Sequence, residues 1–130
     1  MSKYTAGSFR KSLSYAMKGI RIAYKSQRNF RTQIFIGSLA LILAIGLHFT
    51  MVEFCLLLFV IAMVLICELI NSVIEFVLDA TYRNKYSKLV EMAKDMSAGA
   101  VLIATFLSIG IGLLLFIGKI VELTNLRFLA

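Results

Sequence analysis

Three long apolar stretches constrain the fold of this chain more than any other feature. They run from about residue 33 to 52, from 54 to 78 and from 96 to 118. Each reaches the roughly 20 residues that a helix rising about 1.5 Å per residue needs to cross a bilayer. Hydrophobic residues make up 60% of the 130 residues and proline is absent, which is unlike an ordinary soluble domain. We therefore predict an all-α integral membrane protein, with three transmembrane helices in a single domain of residues 1–130.

Lysine and arginine residues are unevenly distributed around these stretches. Twelve of the fourteen lie before the first stretch or between the second and the third, and the other two follow the third. Because basic residues near span ends favour the cytoplasm, we predict a cytoplasmic N terminus and 79–95 loop, and an external C terminus. The chain has a net charge of +7, and we expect most of its basic residues at the cytoplasmic membrane surface. We expect no nucleic-acid partner.

Residues about 8–28 combine apolar and basic side chains at helical spacing. The apolar positions fall within one arc of a helix, and basic residues occupy the adjoining arc; the apolar set is Phe9, Leu13, Ala16, Met17, Ile20 and Tyr24. This pattern is typical of an N-terminal amphipathic surface helix in the cytoplasmic headgroup layer. Such a helix could be an anchor alone, or it could also form one wall of a site, and the pattern leaves both open.

The third stretch repeats small residues at every fourth position, Ala100, Ala104, Ser108 and Gly112. In lipid, this spacing lets helix backbones approach closely. Three spans enclose little interior, so polar groups within a span need neighbours from other subunits. We therefore expect a homo-oligomer.

The end of the second stretch carries a stripe of polar residues. On a helix they share one face, and they are Glu68, Asn71, Ser72, Glu75 and Asp79. A single polar residue near a helix end usually snorkels or bonds to a neighbouring helix. An ionised carboxylate in hydrocarbon, however, costs on the order of several kcal/mol. The stripe therefore indicates metal binding, proton transfer or firm pairing at the cytoplasmic end of the span.

The segment Ala93-Lys94-Asp95 adds a cation and a carboxylate at the predicted cytoplasmic end of the third span. Lysine binds phosphate as a point charge, and aspartate can hold a divalent cation. Alone, such a pair usually reflects interfacial solvation, but beside the polar stripe we expect it to form half of a site for ATP and Mg²⁺. No P-loop is present, because Gly118-Lys119 is followed by Ile120 and lacks the first glycine of that motif.

Two segments resemble the prokaryotic diacylglycerol kinase and undecaprenol kinase family. The first, Glu68-Leu69-Ile70-Asn71-Ser72-Val73-Ile74-Glu75 followed by Asp79, has the pattern E-x-x-N-[ST]-x-[IV]-E-x-x-x-D, and the second runs from Ala93 to Leu102. A weaker match at Tyr15, Lys18-Gly19 and Asn29-Phe30-Arg31 extends the similarity over nearly the whole chain. The resemblance implies a homotrimer in the bacterial cytoplasmic (inner) membrane, with composite active sites between subunits. It also implies that ATP binds from the cytoplasm and that a lipid alcohol arrives from the bilayer.

The resemblance assigns an expected role to each site residue. Glu68 is the expected general base for the lipid hydroxyl, and Asn71 is expected to position the reacting groups. Glu75 is expected to bind the Mg²⁺ that bridges the ATP phosphates. The remaining residues are expected to contact ATP or complete the rim of its site: Tyr15, Asp79, Lys85, Tyr86, Ser87, Lys94 and Asp95.

Two glutamines depart from the family pattern. Gln27 stands where the family usually has a second metal-binding glutamate, and its carbonyl can ligate Mg²⁺ but supplies no charge. Gln33 stands where many Gram-positive members have histidine. These departures leave an inactive family member as one alternative. A small transporter with Glu68 as an intramembrane ion site is another.

The lipid substrate is predicted from the third span. The stretch from Ala98 to Ile103, with Gly110, Gly112 and Gly118, looks more like the Gram-positive branch, whose members mostly phosphorylate undecaprenol. We therefore favour undecaprenol, with diacylglycerol as the alternative.

Overall fold

The computed structural model describes residues 9–82 and 87–129, and the regular structure in these ranges is helical. Four helices follow one another: α1 (Phe9–Ser26), α2 (Arg28–Gly46), α3 (Met51–Tyr82) and α4 (Lys88–Leu129). Three of them are long and apolar enough to cross a membrane, namely α2, α3 and α4 as far as Asn125. The prediction of a helical protein with three candidate spans is confirmed.

The chain exposes much more surface than a compact soluble protein of its size. Its accessible area is 10363 Å², whereas a folded soluble monomer of 14.5 kDa exposes about 6,900 Å². Many of the exposed side chains are large and apolar, such as Phe35, Phe59 and Leu114. An apolar surface this extensive needs lipid or another protein chain to cover it. The structure thus describes a multi-pass membrane protein.

The junction between α1 and α2 is held by Arg31. Gln27 breaks the helix with an extended backbone, at φ −103° and ψ 115°. From the first turn of α2, the Nη1 of Arg31 donates hydrogen bonds of 3.0 Å to the carbonyls of Tyr24 and Lys25. Since the last carbonyls of a helix lack partners within it, this guanidinium caps α1. Only Ala23 of α1 is buried, and the position of α1 on a membrane surface stays a prediction.

A Schellman motif ends α2 earlier than the apolar pattern predicts. His48 adopts a positive φ of 55°, its amide donates to the Ile45 carbonyl, and the amide of Phe49 donates to the Ala44 carbonyl. These two bonds satisfy carbonyls at the helix end. The first span was predicted to continue to residue 52 because the apolar residues continue, but hydrophobicity alone carries no information about this turn.

A capping box starts α3. The Oε2 of Glu53 accepts hydrogen bonds from the amide of Thr50 at 2.6 Å and from its hydroxyl at 2.9 Å, and the Glu53 amide donates to Thr50 Oγ1 at 3.4 Å. The reciprocal bonds satisfy orphan donors of the first turn. They place the start of the helix at Met51, three residues before the predicted start of the second span.

The helix α3 packs against both α2 and α4. Its N-terminal half contributes Leu57 and Val60 to a small core completed by Ala44 of α2. Gly37 allows α2 to approach closely, because a Cβ at this position would lie 2.8 Å from Cγ2 of Ile61. This close contact fixes how α2 lies along α3, and therefore which α2 side chains face the polar stripe.

The helix α4 extends beyond the apolar stretch at both ends. It begins at Lys88, with the Ser87 carbonyl accepting a 3.0 Å bond from the Glu91 amide, and continues to Leu129. The predicted span of 96–118 marks the apolar part alone. Lys94 and Asp95 consequently lie inside the helix, in its second turn, so their spacing along α4 is helical and fixed.

Candidate active site

Glu68 is a buried carboxylate in the C-terminal half of α3, with 3% of its surface exposed. The Nε2 of Gln33 on α2 donates a hydrogen bond of 3.2 Å to its Oε2. Ser72 donates at 2.9 Å to the Glu68 backbone carbonyl, so its hydroxyl is bonded to its own helix and makes no bond to the carboxylate. The ion pairs found within residues 9–82 and 87–129 all involve other carboxylates.

Asn71, on α3, forms a hydrogen bond at each end of its side-chain amide, one within α3 and one to α4. Its Nδ2 donates a hydrogen bond of 3.2 Å to Oε1 of Glu75, and its Oδ1 accepts one of 2.6 Å from the hydroxyl of Ser97. Ser97 Oγ also lies 2.9 Å from the Lys94 carbonyl, an alternative acceptor for its single proton. Asn71 is 8% exposed, so these bonds fix a buried amide.

Lys94 and Asp79 form an ion pair that joins α4 to α3. Their side chains are 35% and 51% exposed, and exposed pairs of this kind contribute little to stability. The pair lies one helical turn beyond Glu75 on α3 and one turn before Ser97 on α4. The polar stripe of α3 is therefore matched by Lys94 and Ser97 along the facing side of α4.

Other predicted nucleotide contacts lie outside this hydrogen-bonded network. Tyr15 is 55% exposed on α1, Asp95 is exposed, and Ser87 is half-buried just before α4. Lys85 and Tyr86 fall outside the described residues. The contacts of these five residues with ATP stay predictions.

The predicted Mg²⁺ ligands are Glu75 on α3 and Gln27 at the α1–α2 junction. In the described ranges, no group of three or more histidine, cysteine, aspartate or glutamate residues could hold a metal ion. Mg²⁺ in nucleotide sites is usually held by one or two carboxylates together with phosphates and water. The half-buried Glu75 fits that role, and the Gln27 side chain makes no capping bond to α2.

An apolar cavity of about 280 Å³ begins at Gln33 and continues between the three spanning helices. Its lining includes Gly37 and Ala40 from α2, Leu57 and Val64 from α3, and Ser108 and Gly112 from α4. The Oε1 of Gln33 is buried and has no hydrogen-bond partner within the described part of the chain. Gln33 thus marks the boundary between the polar network and an apolar space.

The sequence matches the profile of the prokaryotic diacylglycerol kinase family from residue 14 to residue 116. This range contains α2 and α3 completely, and it includes every residue of the network from Gln33 to Ser97. The chain belongs to this family. Membership in the prokaryotic diacylglycerol kinase family indicates a lipid kinase, in agreement with the resemblance found from the sequence.

Named relatives include kinases for two different lipids. A diacylglycerol kinase of Synechocystis sp. is 37% identical over 101 residues, which cover 78% of this chain and 58% of the relative. The diacylglycerol kinase of Escherichia coli K12 is 34% identical over 111 residues, covering 84% and 90%. The undecaprenol kinase of Bacillus subtilis is 31% identical over 112 residues, covering 86% and 90%. The aligned part of this chain thus spans just over half of the Synechocystis protein and most of the other two.

Two partners in the network were missed by the sequence analysis. Gln33 was noted only as a departure from the prokaryotic diacylglycerol kinase family, and Ser97 was quoted within a family segment without a role. Their contacts depend on how α2 and α4 are aligned along α3, and no motif encodes that alignment. For Ser97, the available signal was its position three residues after Lys94, on the same face of a helix.

A second polar cluster, at the other end of α3, was also missed. Lys119 is 5% exposed, and its Nζ lies 3.0 Å from Oε2 of Glu122 and 3.6 Å from Oε2 of Glu53. The i,i+3 spacing of Lys119 and Glu122 was readable in the sequence, but the contact with Glu53 was not. This cluster ties the start of α3 to α4 and lies far along the bundle from the polar stripe.

Proposed function

We propose that this protein transfers the γ-phosphoryl group of ATP to the primary hydroxyl of a membrane lipid alcohol. The observation that carries the proposal is the buried carboxylate of Glu68, held by Gln33 at the boundary of an apolar cavity. From Glu68 the polar stripe of α3 continues through Asn71 and Glu75 to Asp79, which pairs with Lys94 at the exposed end. A lipid hydroxyl and a soluble nucleotide can therefore meet at one face of α3.

Glu68 is the general base in this proposal. Its ionised carboxylate accepts the proton of the lipid hydroxyl while the hydroxyl oxygen forms a bond with the γ-phosphorus of ATP. The bond between the γ-phosphorus and the bridging oxygen breaks, and ADP leaves. Phosphoryl transfer depends mainly on in-line positioning and charge stabilisation, with the base removing the proton.

Asn71 and Lys94 position the reacting groups. The Ser97 and Glu75 contacts hold the Asn71 amide at a fixed place between base and nucleotide. Lys94 is proposed to exchange Asp79 for the ATP phosphates, an exchange that costs little because the ion pair is exposed. Mg²⁺, when bound, neutralises phosphate charge, and Glu75 with Gln27 would hold it through their side-chain oxygens.

The apolar cavity supports a lipid as the acceptor. A hydrocarbon chain lying along it would place its polar end at Gln33 and hence beside Glu68. Undecaprenol remains our first candidate because of the third-span pattern. Diacylglycerol is the second candidate, since the diacylglycerol kinases of Synechocystis and Escherichia coli are 37% and 34% identical to this chain and the undecaprenol kinase is 31% identical.

The proposal includes an assembly and an orientation. We expect a homotrimer with composite sites, in the bacterial cytoplasmic membrane, with the N terminus inside and the C terminus outside. The large exposed apolar area of α4 supports contacts with other subunits or lipid. The basic character of α1 supports a position in the cytoplasmic headgroup layer, where it could wall in the nucleotide.

A substrate panel tests the proposed function. Purified protein in mixed micelles is given γ-labelled ATP and Mg²⁺ with undecaprenol, diacylglycerol or ceramide, and the labelled lipid is separated and counted. We expect transfer to undecaprenol above diacylglycerol, and none without Mg²⁺. ATP binding without phosphorylation of any lipid alcohol would refute the proposal.

A further inference from the structure

The Glu68 carboxylate has one side-chain hydrogen-bond donor within residues 9–82 and 87–129, and that donor is Gln33. The distance is 3.2 Å, and Glu68 is 3% exposed. A buried carboxylate without a cation requires hydrogen bonds to remain ionised and in place. The donor also comes from a different helix, so it fixes the carboxylate relative to α2 as well as α3.

The chemistry of the amide determines which of its atoms faces Glu68. An ionised carboxylate only accepts hydrogen bonds, so the NH₂ group of Gln33 must point towards it and the carbonyl away. The carbonyl oxygen Oε1 is buried and has no hydrogen-bond partner among residues 9–82 and 87–129, and Gln33 lines the apolar cavity. Leaving this acceptor unpaired is unfavourable. Gln33 therefore donates its NH₂ group to Glu68 although its own carbonyl oxygen remains without a partner among the described residues.

We propose that Gln33 is a positioning residue for catalysis, which holds the carboxylate of Glu68 in place and aimed at the lipid hydroxyl. This inference rests on the proposed lipid kinase function. Gln33 acts through Glu68, and no hydrogen bond joins it to Lys94 or Asp79, so its removal should affect the chemical step and spare ATP binding. Loss of a residue with a merely structural role would impair the chemical step and ATP binding together.

The test compares Gln33→Met, which has a similar length and no donor, with Gln33→His, which retains an N–H donor. Ser38→Ala is the matched control on α2, because Ser38 is exposed and bonds its own helix at Ile34. We expect Gln33→Met to lower kcat by about 10- to 100-fold, the worth of a hydrogen bond to a charged group. The KM for ATP should not change, and Gln33→His should recover much of the loss. A kcat within twofold of the parent in Gln33→Met, or equal losses in the Met and His variants, would overturn the inference.

A second readout is independent of kinase activity. Dicyclohexylcarbodiimide, an apolar reagent, reacts with protonated carboxyl groups within membranes, and Glu68→Gln identifies the Glu68 signal. Without the Gln33 donor, the Glu68 carboxyl group loses its bond to α2 and can turn towards the reagent, so Gln33→Met should be labelled at Glu68 several times faster than the parent protein. The proposed function is refuted if the parent protein phosphorylates no lipid. The role of Gln33 is refuted if Glu68 is labelled at the same rate in Gln33→Met as in the parent protein. Gln33→Asn, which withdraws the amide by one methylene, replaces the Met variant if that variant does not fold, and should also be labelled faster.

Discussion

The hydroxyl of Ser97 on α4 lies 2.6 Å from Oδ1 of Asn71 on α3 and donates a hydrogen bond to it. This bond, with the one from Asn71 to Glu75, links the centre of the polar stripe to the helix that carries Lys94. The stripe predicted from one helix is thus part of a network across two. Its members can be tested separately, because each has a distinct partner.

Ser97→Ala removes the bond that holds the carbonyl of Asn71. A hydrogen bond of this kind contributes about 0.5–1.5 kcal/mol net, so we expect kcat to fall about three- to tenfold with the fold intact. Steady-state kinetics with the preferred lipid measure the change. Ser38→Ala, a serine exposed on α2, should retain the parent kcat. Equal rates in the Ser97 and Ser38 variants would show that the position of Asn71 does not limit catalysis.

Lys94→Gln tests the proposed exchange of Asp79 for ATP phosphates. The variant loses the point charge that binds phosphate, so we expect the KM for ATP to rise by about tenfold or more. Asp79→Asn removes only the partner of an exposed ion pair, worth about 1 kcal/mol or less, and should change that KM much less. Lys88→Gln is the control, because Lys88 is 70% exposed and pairs with Glu91. A KM for ATP that rises equally in the Lys88 and Lys94 variants would refute a specific phosphate contact.

Gln27→Glu would restore the charge that the family usually has at this position. A carboxylate binds Mg²⁺ more strongly than an amide carbonyl does, so the Mg²⁺ concentration for half-maximal activity should fall severalfold. Gln27→Ala removes the oxygen and should raise it. Titration of activity with Mg²⁺ at saturating ATP makes the comparison. An identical Mg²⁺ requirement in all three proteins would place Gln27 outside the metal site.

Lys119→Met should destabilise the protein without changing the KM for ATP. Its removal leaves Glu53 and Glu122 near each other without the cation between them. We expect a Tm lower by several degrees in detergent micelles. Adding Glu53→Gln to Lys119→Met relieves part of the repulsion and should recover part of the loss. A Tm unchanged by Lys119→Met would contradict a stabilising role for this cluster.

The sequence predicted well those features that depend on spacing within one helix. Glu68, Asn71, Ser72, Glu75 and Asp79 recur at three or four residues, so helical geometry alone puts them on one face. The three spans followed in the same way from apolar length. Family resemblance added the proposed roles, which the geometry by itself does not assign.

The features that the sequence did not predict depend on contacts between helices or on caps. Gln33 and Ser97 join the network because Gly37 permits a close approach of α2 to α3 and because α4 lies alongside α3. The helix ends differ from the ends of the predicted spans because hydrophobicity marks the lipid-facing part, whereas caps mark where a helix begins and ends. The Thr50-x-x-Glu53 capping box can be read from the sequence, but it was overlooked because it lies between two apolar stretches.

The most direct test of the account is the rate of phosphoryl transfer by Glu68→Gln, measured in a single turnover with the preferred lipid and labelled ATP. Glutamine has nearly the same shape but is not a base, so we expect a rate lower by about 100-fold or more, with ATP binding and assembly unchanged. Glu122→Gln serves as the control carboxylate, being 54% exposed and remote from the stripe. A Glu68→Gln protein with more than about a tenth of the parent rate would contradict the assignment of Glu68 as the general base.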